Sequence, residues 1–170
     1  MASFERPPGF GSSFTVADAR AAGWTRAQIA SARLDRPFHG VRAVRAEGEE
    51  ADAAERHLAR AHRYRQVMDA EAFYSHVTAA VAWDAWLPAG FIHDDIDVAV
   101  LTPARNVRGR GVRGHEVHPR LVNVVVHPAH GFRVASPAST WAMLGGVLRH
   151  PYDLIAAGDA FVRVPQHPSD

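Results

Sequence analysis

Two capped helix starts follow one another in FTVADARAAGWTRAQIASARL, residues 14–34, with Gly23-Trp24 between them. Thr15 is followed three residues later by Asp18, and Thr25 by Gln28. A threonine at such a position accepts an unpaired N–H of the first turn, and the residue three further on can return a bond to the cap. Gly23 is placed to stop the first helix at about Ala22, because glycine takes the left-handed conformation that closes a helix. The spacing predicts a second helix from Arg26 to about Arg33 or Leu34. Two short helices joined by a glycine turn are the sequence form of a helix-turn-helix. Phe38-His39-Gly40-Val41-Arg42-Ala43-Val44 then reads as a turn into a short strand, where a wing would stand. Residues 14–46 are therefore expected to form a winged helix-turn-helix, after a tail over residues 1–13 that contains Pro7-Pro8-Gly9.

Charge sharpens this expectation. The formal net charge is only +1, so any affinity for nucleic acid has to come from a local patch. Residues 25–45 hold five arginines against Asp35, a local excess of four positive charges. All 19 basic residues of the chain are arginine, whose planar fork binds phosphate or guanine in a bidentate way that lysine cannot. In a helix-turn-helix the second helix enters the major groove. Thr25, Arg26 and Gln28 open that helix, with arginine suited to guanine and glutamine to adenine. Arg33 shares a side with Arg26. Arg36, Arg42 and Arg45 fall at the helix end and wing, where phosphate contacts are expected. The competing reading is a solvated basic face. Ala27, Ala30 and Leu34 lie on another side of the helix and Ile29 lies near the arginines, so periodicity leaves open which face is buried.

Glu47, Glu49, Glu50, Asp52 and Glu55 end the positive stretch, and a domain boundary is expected near residues 46–50. Residues 47–170 are read as an α+β domain. Helices are predicted over 51–67, from Ser75 until Pro88-Ala89-Gly90, from Ser136-Pro137 to about Leu148, and from Tyr152 to Val162. Ile96 to Leu101 reads as a strand, Leu121 to Val126 as a mostly apolar and therefore central one, and Phe132 to Ala135 as a short one. There are no cysteines, which excludes disulfides and thiolate zinc sites and fits a reducing cytoplasm. No signal peptide and no membrane-spanning apolar run is read, and no cofactor motif stands out.

Arg56, Arg60 and Arg63 form a stripe one turn apart, read as a solvated face with phosphate binding as the alternative. His115-Glu116-Val117-His118, with His127 and His130 nearby, invites a metal. On a strand, however, Glu116 and His118 share a face while His115 points away, so exposed or capping histidines are expected. Asp94, Asp95 and Asp97 read as a solvated turn before a buried strand. Adjacent Ser75 and His76 are not expected to pair, and Trp24, Trp83, Trp86 and Trp141 are expected in the core. Arg105 to Arg113 reads as a mobile basic loop that either touches phosphate or an acidic partner, or has no partner.

The order of these segments, from the helix pair through FHGVRAV, YSHVTAAVAWDAWLP, DIDVAVLTP, RVASPASTWAML and DLIAAGDAFVR, resembles actinobacterial proteins of the AbiE-type antitoxin family over about residues 14–164. The resemblance implies an N-terminal winged helix and an antitoxin-like transcriptional autorepressor binding operator repeats in double-stranded DNA. It also implies a nucleotidyltransferase toxin as functional antagonist. This chain has His39-Gly40-Val41-Arg42 where the family usually shows Arg-Gly-Val-Tyr. It also ends before the Vsr-like endonuclease domain of longer relatives, so nuclease activity is not implied. The expectation is thus a cytoplasmic, non-enzymatic DNA-binding protein that could form a homodimer. Two further readings stand beside it: a metal-dependent nuclease using Asp95, Asp97, Glu116 and His118, and a pure protein-interaction module.

Overall fold

The computed structural model describes residues 11–45 and 51–162. Residues 1–10 of the expected 1–13 tail, and the expected boundary at 46–50, lie outside the described residues. What is described is a mixed α+β structure with two sheets.

The first sheet has the strand order β1-β3-β2, all antiparallel: β1 (Ser13–Thr15), β2 (Leu34–Asp35) and β3 (Val41–Val44). Ser13, assigned to the tail from sequence, belongs to β1. Helix α1 (Val16–Ala21) follows directly, capped by Thr15. Gly23, at φ +84°, ends it: Gly23 N–H donates to Arg20 O and Trp24 N–H to Ala19 O. This pair of bonds satisfies the last carbonyls and requires the left-handed residue that glycine supplies. Helix α2 is only Arg26–Ile29, shorter than the sequence predicts. The chain leaves helix at Ala30 because Leu34 is needed as a strand residue opposite Val44. Phe14, Ala19, Ile29 and Leu34 form a small core, with Phe14 and Trp24 packed edge to face.

The second sheet has the order β6-β5-β4-β8-β7. Its strands are β4 (Phe73–Tyr74), β5 (Ile96–Leu101), β6 (Val112–Val117), β7 (Val124–Val126) and β8 (Arg133–Ala135). β5 pairs parallel with β6 and antiparallel with β4, β4 pairs parallel with β8, and β8 pairs antiparallel with β7. The apolar run 121–126 is therefore an edge and not central. Pro119–Leu121 is a 3-10 turn, and Leu121 and Val126 are exposed. Val112 and Arg113, read as loop from sequence, are strand.

Helix α3 (Ala53–Arg65) opens on a reciprocal Asp52–Glu55 capping box. Helix α4 (His76–Ala82) is buried along nearly its whole length. It stops at Asp84 (φ +54°) and not at Pro88: Asp84 N–H donates to Val81 O and Ala85 N–H to Ala80 O, the same closing pattern as at Gly23. Helix α5 (Pro137–Leu144) starts on a Ser136 cap with proline in its first turn and ends four residues before the expected Leu148. Helix α6 (Pro151–Val162) packs on it. The main core joins Phe73, Tyr74, Ile96, Val98, Val100, Phe132 and Val134 with Phe38 and Val41 from the first module. Trp86 and Trp141 are exposed, against the expectation that all four tryptophans are core. Among the described residues, no helix is long and apolar enough to cross a membrane.

Candidate functional site

The polar side chains around α2 divide between holding the module together and facing outward. Thr25 and Gln28 are committed to each other: Gln28 N–H donates to Thr25 Oγ1 (3.3 Å), and Thr25 N–H donates to Gln28 Oε1 (2.8 Å). Gln28 thus acts first as a cap, not as the free reader of adenine that sequence spacing offered. Ile29 and Leu34 are buried, whereas Ala27 and Ala30 are exposed, which answers the question that periodicity left open. A one-turn helix has no second turn to carry an apolar stripe. Arg26 and Arg33 are exposed and Ile29 is buried.

Arg42 is half-buried. Its Nε donates to Ile29 O (3.0 Å) and its Nη1 to Val41 O (2.9 Å), tying the end of α2 to β3. Arg45 donates through Nε (3.1 Å) and Nη2 (3.0 Å) to Asp35 Oδ1 across the β2–β3 pair, an exposed pairing of small energetic weight. Arg36 is exposed and reaches Ala30 O at 3.5 Å.

Four arginines line one groove of about 590 Å³: Arg20 of α1, Arg36, Arg42, and Arg110 from the loop between β5 and β6. The turn Pro37-Phe38-His39-Gly40 forms its floor, and none of its lining residues is acidic. Burial, and then the neighbouring charge of Arg36, pushes the Arg42 guanidinium below the ordinary arginine range. An anion in the groove would relieve that like-charge crowding. Arg20 was absent from the residues singled out by sequence, and Arg110 was read only as part of the basic loop 105–113. The basic run 105–113 was noticed, but no local pattern brings it beside Arg36; the return of the chain from β5 to the start of β6 does. Of the α3 stripe, Arg56 is exposed, while Arg60 lies over the Phe38 ring at 5.1 Å and so packs the junction.

A second constellation was not foreseen. A cleft of about 400 Å³ is lined by His76, Val77, Phe91, His93, Asp97, Arg113, His115, Gly146, Val147 and Arg149. In the parallel register of β5 and β6, Asp97 faces Arg113 and Ala99 faces His115, which puts both Asp97 and His115 on one face. Asp97 is 2% exposed, not the solvated turn residue expected. A carboxylate only accepts, so His115 Nε2–H donates to Asp97 Oδ1 (2.9 Å). His93 Nε2 stands 3.5 Å from Asp97 Oδ2, which has no hydrogen-bond partner among the described residues. His76 stacks on His115 with centroids 3.9 Å apart and is held at φ +44°, a left-handed conformation that strains a residue with a side chain. Ser75 is fully buried; contrary to expectation, its Oγ lies 3.1 Å from His76 Nδ1. Burial, and next the neighbouring His115, holds the His76 imidazole down to about 4.

Behind the cleft, one chain of bonds fixes a tautomer. Asp97 N–H donates to Thr78 Oγ1 (2.7 Å), and His57 Nδ1–H donates to His93 O (2.9 Å). The neutral His57 ring therefore accepts at Nε2 from the Thr78 hydroxyl (2.7 Å). Burial pushes His57 down, which agrees with a neutral ring.

The nuclease grouping is not assembled. Glu116 and His118 are exposed, Glu116 on the strand face opposite His115, and Asp95 is only 4.0 Å from Arg113 Nε. His118 and His127 accept backbone N–H groups at Nδ1 and so act as caps. Among the described residues, no three His, Asp or Glu side chains are arranged to hold a metal ion. No protein-family profile matches the chain, and neither does any curated protein sequence.

Proposed function

We propose that the chain is a sequence-specific double-stranded-DNA-binding protein, an antitoxin-like transcriptional autorepressor working in the cytoplasm. In this reading residues 14–46 dock as a winged helix-turn-helix, with α1 and α2 as the helix pair and the β2–β3 hairpin as the wing. The observation that carries it is the groove of Arg20, Arg36, Arg42 and Arg110, which has no lining carboxylate; Arg26 and Arg33 are exposed on and just after α2. The groove would seat the phosphate backbone, fixing register, while Arg26 and Arg33 reach base edges. With one turn of α2, base reading falls to few side chains, so phosphate contacts supply most of the affinity. The α+β domain would serve homodimerisation, which would set two half-sites one helical turn apart. The resemblance adds a nucleotidyltransferase toxin as functional antagonist.

Gel-shift titrations of alanine variants test the reading. Arg20→Ala, Arg36→Ala and Arg110→Ala should each weaken binding to all duplexes and flatten the salt slope by about 0.9 per lost phosphate contact. Arg26→Ala and Arg33→Ala should narrow the difference between preferred and random duplexes, by about 1–3 kcal/mol for each bidentate base contact. Unchanged affinity in all five variants would sink the assignment. Arg42→Ala is a poorer probe, because it also frees the Ile29 carbonyl.

A further inference from the structure

We propose that the cleft between β5–β6, the start of α4 and the segment after α5 binds a ribonucleoside phosphate. Its wall has two poles. Arg113 and Arg149 line it, together with His76, His93 and His115. Asp97 is the lone acid among its lining residues, and one of its oxygens is already bonded to His115. The cleft therefore attracts an anion through its arginines. The second Asp97 oxygen is buried and has no hydrogen bond among the described residues; His93 Nε2 stands 3.5 Å from it, so it can still take a closer donor. Inorganic phosphate satisfies the arginines alone. A ribose phosphate satisfies both poles at once, with its phosphate on Arg113 and Arg149 and a sugar hydroxyl donating to Asp97.

The remaining wall is apolar: Phe91, Val77 and Val147. A nucleobase covers such a wall, and a volume of about 400 Å³ lies within the range of small-molecule sites. The site is also held in place before any ligand arrives. The His57–Thr78 chain fixes the Asp97 backbone and the His93 carbonyl together, and His76, on a strained backbone, stacks its ring against His115. Rigid side chains at this density lose little freedom on binding. Arg113 is only loosely paired with Asp95, at 4.0 Å between two exposed groups, so a phosphate can displace that contact.

The test is calorimetric titration of the full chain with AMP, GMP, CMP and UMP, beside adenosine, guanosine, cytidine, uridine and inorganic phosphate. At least one monophosphate should bind more tightly than about 1 mM, and both its nucleoside and inorganic phosphate should bind at least about tenfold more weakly. Arg149→Gln and Arg113→Gln, both exposed and safe for folding, should each cost about tenfold or more in affinity for that nucleotide. Arg120→Gln, an exposed arginine outside the cleft, should change nothing. No saturable binding by any monophosphate overturns the proposal, as does inorganic phosphate binding as tightly as the nucleotide, or affinity indifferent to both arginines. Arg36→Ala, which tests the DNA groove, should leave nucleotide binding intact, so the two readings fail separately.

Discussion

His57 has both ring nitrogens assigned by its neighbours, and that assignment has a consequence for stability. The ring bridges the His93 carbonyl and the Thr78 hydroxyl, and a second proton on Nε2 would face a hydroxyl that is already donating to it. Burial lowers the His57 pKa, and His62, His76 and His127 are lowered for the same leading reason. A histidine whose folded pKa lies below its unfolded value leaves the unfolded chain holding more protons in the interval between them. Stability should therefore be complete above pH 6.5 and fall as the pH drops toward 4. Urea-denaturation midpoints across that window check this, and His76→Gln should reduce the slope; a midpoint independent of pH would contradict it. None of this was legible locally. Asp94-Asp95-Ile96-Asp97 looks like a solvated turn, and only the pairing of β5 with β6 reveals that His115 lies beside Asp97.

Helix starts were readable because capping is a matter of three or four adjacent residues: Thr15, Thr25 and Ser136 all cap as their spacing predicts. Helix ends were harder. Nothing in Ala30-Ser31-Ala32-Arg33 breaks a helix, and α2 stops because Leu34 pairs with Val44; α4 stops on a left-handed aspartate where proline and glycine further along had seemed the natural signal. The run 121–126 carried no sign of its edge position, since hydrophobicity alone does not report what pairs on each side. β6 was missed because arginines and glycines fill its approach. Gly114 explains one of those glycines: a Cβ there would lie 1.9 Å from the Val107 carbonyl oxygen, where the 106–107 segment crosses the strand. Gly114→Ala should cost more stability than the ~1 kcal/mol typical of a substitution, read as a lowered melting temperature. Gly109→Ala, whose nearest contact is 3.9 Å from a valine methyl, should leave it nearly unchanged. Equal melting of the two variants would mean the crossing is looser than described.

At the scale of the molecule, the α+β class and most of the element order followed from the sequence, whereas the surface that matters most did not. Phe38 and Val41 reach from the first sheet into the main core, Arg60 covers Phe38, and Gln66 donates to Ser13. This packing brings Arg110 against Arg36 and Arg42 and makes the basic groove a joint product of both sheets. Five arginines between residues 25 and 45 had marked the region, but Arg42 and Arg45 are partly occupied internally, and Arg20 and Arg110 complete the charge. The most direct test of the DNA-binding account is the salt dependence of equilibrium binding to duplexes enriched from a random pool. Four groove arginines on phosphate predict that log K falls against log salt with a slope near −3.6, from about 0.9 per contact. A slope indistinguishable from zero, or no duplex affinity even at low salt, would contradict it.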